Sequence, residues 1–212
     1  MGKSLSNFFG VIIKSKTYLS LFYLLFAFIL GVFYFTLLVT GLSLGLGMIV
    51  TLFGIPILIG MMFLWRIFAI FEIQQARIIL GIKIPFVKKK FPKGILKNIQ
   101  ARLNDSFTWK SLAYLFIKFP LGIISFVILV TLLSISVSLI GIPILYYFAD
   151  IGIVQETFCI DAINFCFVNS YLTAILWGVA GILLLFVSLH ALNGLAYISG
   201  LFAKAMLERK KK

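Results

Sequence analysis

Acidic and metal-binding side chains are scarce in this chain. Its 212 residues include six Asp and Glu, two Cys and one His. Cys159, Cys166 and the distant His190 cannot make a zinc site of the usual kind. The carboxylates Glu72, Asp105, Asp150, Glu156, Asp161 and Glu208 are scattered, and all lie outside the bilayer core expected from the apolar runs. No hydrolytic or transferase constellation is legible among them, so no enzymatic activity is expected. Gly45-x-Gly47 lacks the third glycine and the strand context of a phosphate-binding loop. No cofactor is implied. Charge of either sign amounts to 12% of the chain against 62% hydrophobic residues, with a mean hydropathy of +1.15. That leaves too little polar surface to cover a soluble globule of this size.

The abundance that remains is apolar and continuous. Backbone groups in a bilayer must be satisfied within the spanning segment, and unbroken apolar runs do this as helices rather than as alternating barrel strands. The fold class is therefore all-α and polytopic. Tyr18 to Trp65 contains no charged residue and far exceeds the ~20 residues of one crossing. It is expected to hold two helices, near 20–43 and 48–70, turning at Gly41, Gly45 and Gly47. A third helix is expected from about Lys118 and Pro120 to Ile140, and a fourth from Tyr171 to Leu192. Gly141 to Val154 is too short for a crossing and reads as re-entrant or interfacial. The N-terminal run is too long for a signal h-region and has no cleavage site, so it reads as an uncleaved anchor.

The first apolar block returns in diluted form. Tyr23 to Leu58 aligns with Tyr114 to Leu145, matching Tyr23/Tyr114, Gly31/Gly122, Phe35/Phe126, Ser43/Ser134 and the tripeptides Leu38-Val39-Thr40 and Leu129-Val130-Thr131. The second copy then runs four residues shorter before GIPIL, Gly54 to Leu58 and Gly141 to Leu145, comes back into line. Four residues are about one helical turn. Past each second crossing, Ala69, Ala76, Arg77 and Leu80 correspond to Ala196, Ala203, Lys204 and Leu207. Each repeat, 17–81 and 108–208, is thus a helical hairpin with an amphipathic helical tail, joined by a connection over 82–110 within one domain of 1–212. An even number of crossings per unit makes the repeat parallel.

Charge orients it. Lys and Arg cluster before helix 1, between helices 2 and 3, and after helix 4, while the connection Gly41 to Gly47 and the loop 146–170 hold none. The positive-inside rule puts both termini in the cytoplasm, in a multi-pass protein of the cell membrane. Basic Lys83, Lys88, Lys89, Lys90, Lys93 and Lys97 alternate with apolar residues and two prolines, a pattern suited to the inner leaflet and its anionic lipids. Arg66 and Arg77 in the first amphipathic tail join this candidate surface for lipid or a docking protein. So apolar a chain argues against nucleic acid as partner despite its +13 charge. An oligomer is compatible with the sequence.

Gly41, Gly45, Gly47, Gly54, Pro56, Gly122, Gly141 and Pro143 read as helix-packing positions, where small residues let backbones approach. The prolines of GIPIL have no ionisable residue beside them, which weakens a transporter-like broken-helix site. His190 reads as a helix-end residue near the inner interface. Cys159 and Cys166 fall in the outer loop, where either a disulfide or two free thiols fit.

Arg66 with the pattern A-x-x-E-x-x-x-A-R-x-x-L-G at Ala69, Glu72, Ala76, Arg77, Leu80 and Gly81, then Trp109-x-x-x-x-Tyr114 leading to Phe119-Pro120-Leu121-Gly122, resembles the prokaryotic "putative sensor" domain. In that family the domain is the membrane input region of histidine kinases in actinobacteria, and it occurs as shorter proteins in archaea and bacteria. The resemblance implies a four-helix, non-catalytic sensory module. Because Lys212 follows without a kinase or helix-turn-helix region, output is expected through a separate cytoplasmic kinase or regulator. The alternatives are a small transporter or channel subunit and a lipid-organising structural protein.

Overall fold

A computed structural model describes residues 15–86, 92, 94–150, 159–160, 165–166 and 170–209; at 95, 96, 149, 150, 159, 160, 165 and 166 it describes the backbone alone. Four long apolar helices dominate: α1 (Ser15–Gly47), α2 (Gly54–Leu80), α4 (Ser106–Asp150) and α5 (Tyr171–Leu207). The short α3 (Ile95–Leu103) precedes α4, and β1 (Cys159–Ile160) pairs antiparallel with β2 (Phe165–Cys166). All four long helices have the length and composition to cross a membrane. At ~1.5 Å per residue, even the 27 residues of α2 outreach a hydrocarbon core of ~30 Å. Large apolar side chains such as Phe33, Ile67, Val127 and Leu183 face outward, as lipid requires.

Several expected boundaries move, among them the start of the third crossing, which lies at Ser106 and continues through Pro120 rather than opening near Lys118. The turn between α1 and α2 lies at 48–53, in a 3-10 turn (Ile49–Thr51) followed by Leu52 at φ 63°, rather than at the glycines. Gly41 and Gly45 stay helical because the two helices meet there. A Cβ on Gly45 would lie 2.6 Å from the Leu58 side chain, and one on Gly41 would strike Met61. Gly54 likewise faces the backbone at Gly45 and Met48. Gly47 and Gly141 have open space around them and are not packing positions.

A further correction concerns Gly141 to Val154. No re-entrant break occurs before Asp150, because α4 runs unbroken through Gly141 and Pro143; residues 151–154 lie outside the described ones. Gly178 of α5 accommodates the proline, since a Cβ there would sit 2.7 Å from Pro143 Cγ. The same GIPIL motif therefore serves two structures. In its first copy Pro56 occupies the opening turn of α2, where the lost amide N–H has no helical acceptor. In its second copy the proline is inside a helix.

The chain divides into two compact units. In the smaller, within Ile128–Leu192, Gly181 of α5 packs on Leu139 and Ile140 of α4, and Ser136 faces Ser188 at 3.4 Å. Ser170 caps α5, its hydroxyl accepting from the Thr173 N–H. The larger, Tyr18–Val127 with Asn193–Lys212, holds a core of Tyr34, Leu38, Met62, Trp65, Ala69, Ile73, Ala76, Tyr114, Ala203 and Leu207. Its segment after α2 folds back. Gly81 ends the helix in the left-handed conformation, and Arg77 donates to the Ile84 carbonyl through Nε at 3.1 Å and also through Nη2.

Candidate functional site

Helix α2 buries two of its three charged residues. Arg66 and Glu72 are buried, at 6% and 0% exposure, while Ile67, Phe71 and Ile78 of the same helix face out. Of the polar positions expected on an amphipathic tail, Arg66 and Glu72 thus turn inward, while Gln74 and Arg77 are exposed. A buried charge requires a partner and further hydrogen bonds to offset its lost hydration. Each of these charges has one.

Glu72 Oε2 accepts from Lys118 Nζ of α4 at 2.8 Å and from the Tyr114 hydroxyl at 3.0 Å. Lys118 Nζ also reaches the Tyr23 hydroxyl at 3.5 Å and lies 5.1 and 5.9 Å from the ring centroids of Tyr23 and Tyr114. The ammonium is thus held by a carboxylate and two aromatic faces. Glu72 Oε1, the Tyr34 hydroxyl and Trp65 Nε1 are buried without hydrogen-bond partners among the described residues. Removing either charge alone would strand the other in this core.

A second ion cluster stands where α2, the start of α4 and the end of α5 come together. Asp105 accepts from Arg66 Nη1 at 3.2 Å and, on both oxygens, from Arg209 Nη2 at 3.0 Å. Arg66 also donates to the Thr108 hydroxyl, and both guanidinium groups lie over the Phe107 ring. The Arg209 amide donates to the Pro85 carbonyl at 2.9 Å, tying the end of the chain to the segment that follows α2.

Helices α1 and α4 cross by reciprocal contacts. Phe28 stacks on Phe126 at 4.4 Å and Phe35 on Phe119 at 4.2 Å. In the sequence register that matches Tyr23 with Tyr114, Phe28 matches Phe119 and Phe35 matches Phe126, so the two stacks are one contact made twice. The glycines behave the same way. A Cβ on Gly31 would meet the backbone at Lys118 and Phe119, and one on Gly122 the backbone at Ala27 and Phe28, the matched positions. Contacts of i with j and of j with i mark a two-fold arrangement.

Of the basic residues singled out in the sequence, Arg66 is not a surface group, Arg77 holds the fold-back after α2, and Lys83 and Lys97 are exposed. Lys88, Lys89, Lys90 and Lys93 lie outside the described residues. The backbone register sets Cys159 opposite Cys166; the disulfide expectation concerns side chains outside the described ones. Among the described carboxylates, Glu72 and Asp105 each anchor a separate buried cluster. A lone lysine in the apolar run YLFIKFPLG was the signal for a buried counter-ion, and Glu72 an acidic residue inside an apolar helical stretch.

A family model described as "Putative sensor" matches residues 23–207. The chain belongs to the putative sensor family. No curated protein and no solved structure matches it. The match begins at Tyr23 and ends at Leu207, so it takes in Glu72, Lys118, Tyr114 and Asp105, and both reciprocal stacks of this putative sensor domain.

Proposed function

We propose that this protein is a non-catalytic signal-transducing module of the cell membrane that acts through a separate cytoplasmic partner. Membership of the putative sensor family supports a sensory role. The observation that carries the reading further is Asp105, which holds Arg66 of α2 and Arg209 beyond α5 together at the start of α4. A change in how α1 and α4 cross, or in the Glu72–Lys118 pair between α2 and α4, would be felt at this cluster through the helices themselves. Packed elements of this kind take discrete arrangements rather than deforming continuously. By the positive-inside rule the cluster and both termini face the cytoplasm, with exposed Lys83 and Lys97 against anionic lipid.

The same reading takes the chain as two parallel copies of a two-crossing unit, which the reciprocal stacks and glycine contacts support. The test is co-purification from native membranes in lipid nanodiscs, comparing the natural chain with Asp105→Asn. A kinase or transcription regulator is expected to accompany the natural chain, with its yield altered by the substitution while folding is retained. Absence of any such partner across nanodiscs and several detergents would reject the proposal.

A further inference from the structure

The repeat register places small residues where the ion-pair site has large ones. Offsets of 91 within the first crossings and 127 within the tails match Lys118 with Ala27, Tyr34 with Ser125 and Glu72 with Ser199. The structure brings these three small residues together. Ala27, Ser125 and Ser199 line one cavity with Tyr114, Lys118 and Gly122. Its volume is about 10 Å³, close to the ~10–15 Å³ that admits one water. The cavity is thus the place where lysine, tyrosine and glutamate would fill a fully symmetric core, and their replacements leave hydroxyls at its wall.

We propose that this cavity is a binding site for a single hydrogen-bonding molecule of water size, and that water occupies it. The chemistry of the wall fits that occupant. Lys118 has three N–H donors, of which Glu72 takes one at 2.8 Å and Tyr23 a second, long one at 3.5 Å. A water accepts from the remaining ammonium N–H and exchanges hydrogen bonds with the Ser125 and Ser199 hydroxyls, giving it about three partners as buried waters have. Lys118 is then held from two sides, by the Glu72 carboxylate and by a solvent molecule on the side of α5. The site is independent of what the protein signals to.

Radiolytic hydroxyl-radical labelling of the protein in nanodiscs tests this, because bound water generates the radical where it sits. Tyr114, fully buried beside the cavity, is expected to label severalfold faster than Tyr34, which is 1% exposed and does not line it. Ser199→Ala should slow Tyr114 labelling about fivefold, the equilibrium worth of one net hydrogen bond. Ser199→Val, which fills the space, should abolish the excess, and Ser125→Ala serves as the variant if Ser199→Val does not fold. Labelling of exposed Trp109 should not change in any of them. Tyr114 labelling no faster than Tyr34, or unaltered in folded serine variants, would overturn the proposal.

Discussion

The two sides of the α1–α4 crossing differ in charge. On one side Glu72 and Lys118 form an ion pair beside Tyr34; at the matched positions on the other stand Ser199, Ala27 and Ser125 around a small cavity. The backbone contacts on the two sides are alike, with Gly31 and Gly122 each against the partner helix and each phenylalanine stack repeated. The contrast separates what holds the helices together from what charges the core. Close backbone approach and aromatic stacking are common to both sides, and the ion pair stands on one of them.

The largest effect should come from breaking the pair on its charged side. Lys118→Met leaves the Glu72 carboxylate buried and unpaired, and should cost about 3–5 kcal/mol, read by steric-trap unfolding in bicelles. The matched change on the other side, Ala27→Ser, strands no charge and should cost less, about 1 kcal/mol. Next come the glycines. A Cβ at Gly122 would lie 2.9 Å from the Ala27 carbonyl oxygen and one at Gly31 3.1 Å from that of Lys118, so neither neighbour can rotate away. Gly31→Ala and Gly122→Ala should each cost about 1–3 kcal/mol by overpacking, and by similar amounts. Unequal costs would break the two-fold comparison.

Smaller still are the stacks. Phe28→Leu should lose about 0.5–1.5 kcal/mol of aromatic pairing, and Phe35→Leu more, because its ring also meets Phe116 edge-on at 5.9 Å. The smallest effect is expected at exposed Lys97, where Lys97→Ala should change stability by less than about 0.5 kcal/mol while weakening retention on vesicles containing anionic lipid.

Element type was legible because hydropathy alone decides it in a bilayer: the four long helices and the pairing of Gly41 and Gly45 with facing side chains follow from apolar runs and small residues. The fate of GIPIL was not legible. A proline reads as a boundary from local sequence, and only Gly178, thirty-five residues further on, makes room for Pro143 inside α4. The site failed for a related reason. Arg66 and Glu72 alternate with apolar neighbours as a surface helix would, and periodicity does not say which face is turned inward when lipid rather than water lies outside. Lys118 and Asp105 are the partners that decide it, and they are 46 and 39 residues away from Glu72 and Arg66.

The ion pair as a coupled unit is tested most directly by a double-mutant cycle on Glu72→Gln and Lys118→Met in bicelles. If the two charges are held by each other, the Lys118→Met loss should be largely recovered in the double variant, a coupling of about 2–3 kcal/mol. Losses that add to within about 0.5 kcal/mol would contradict it.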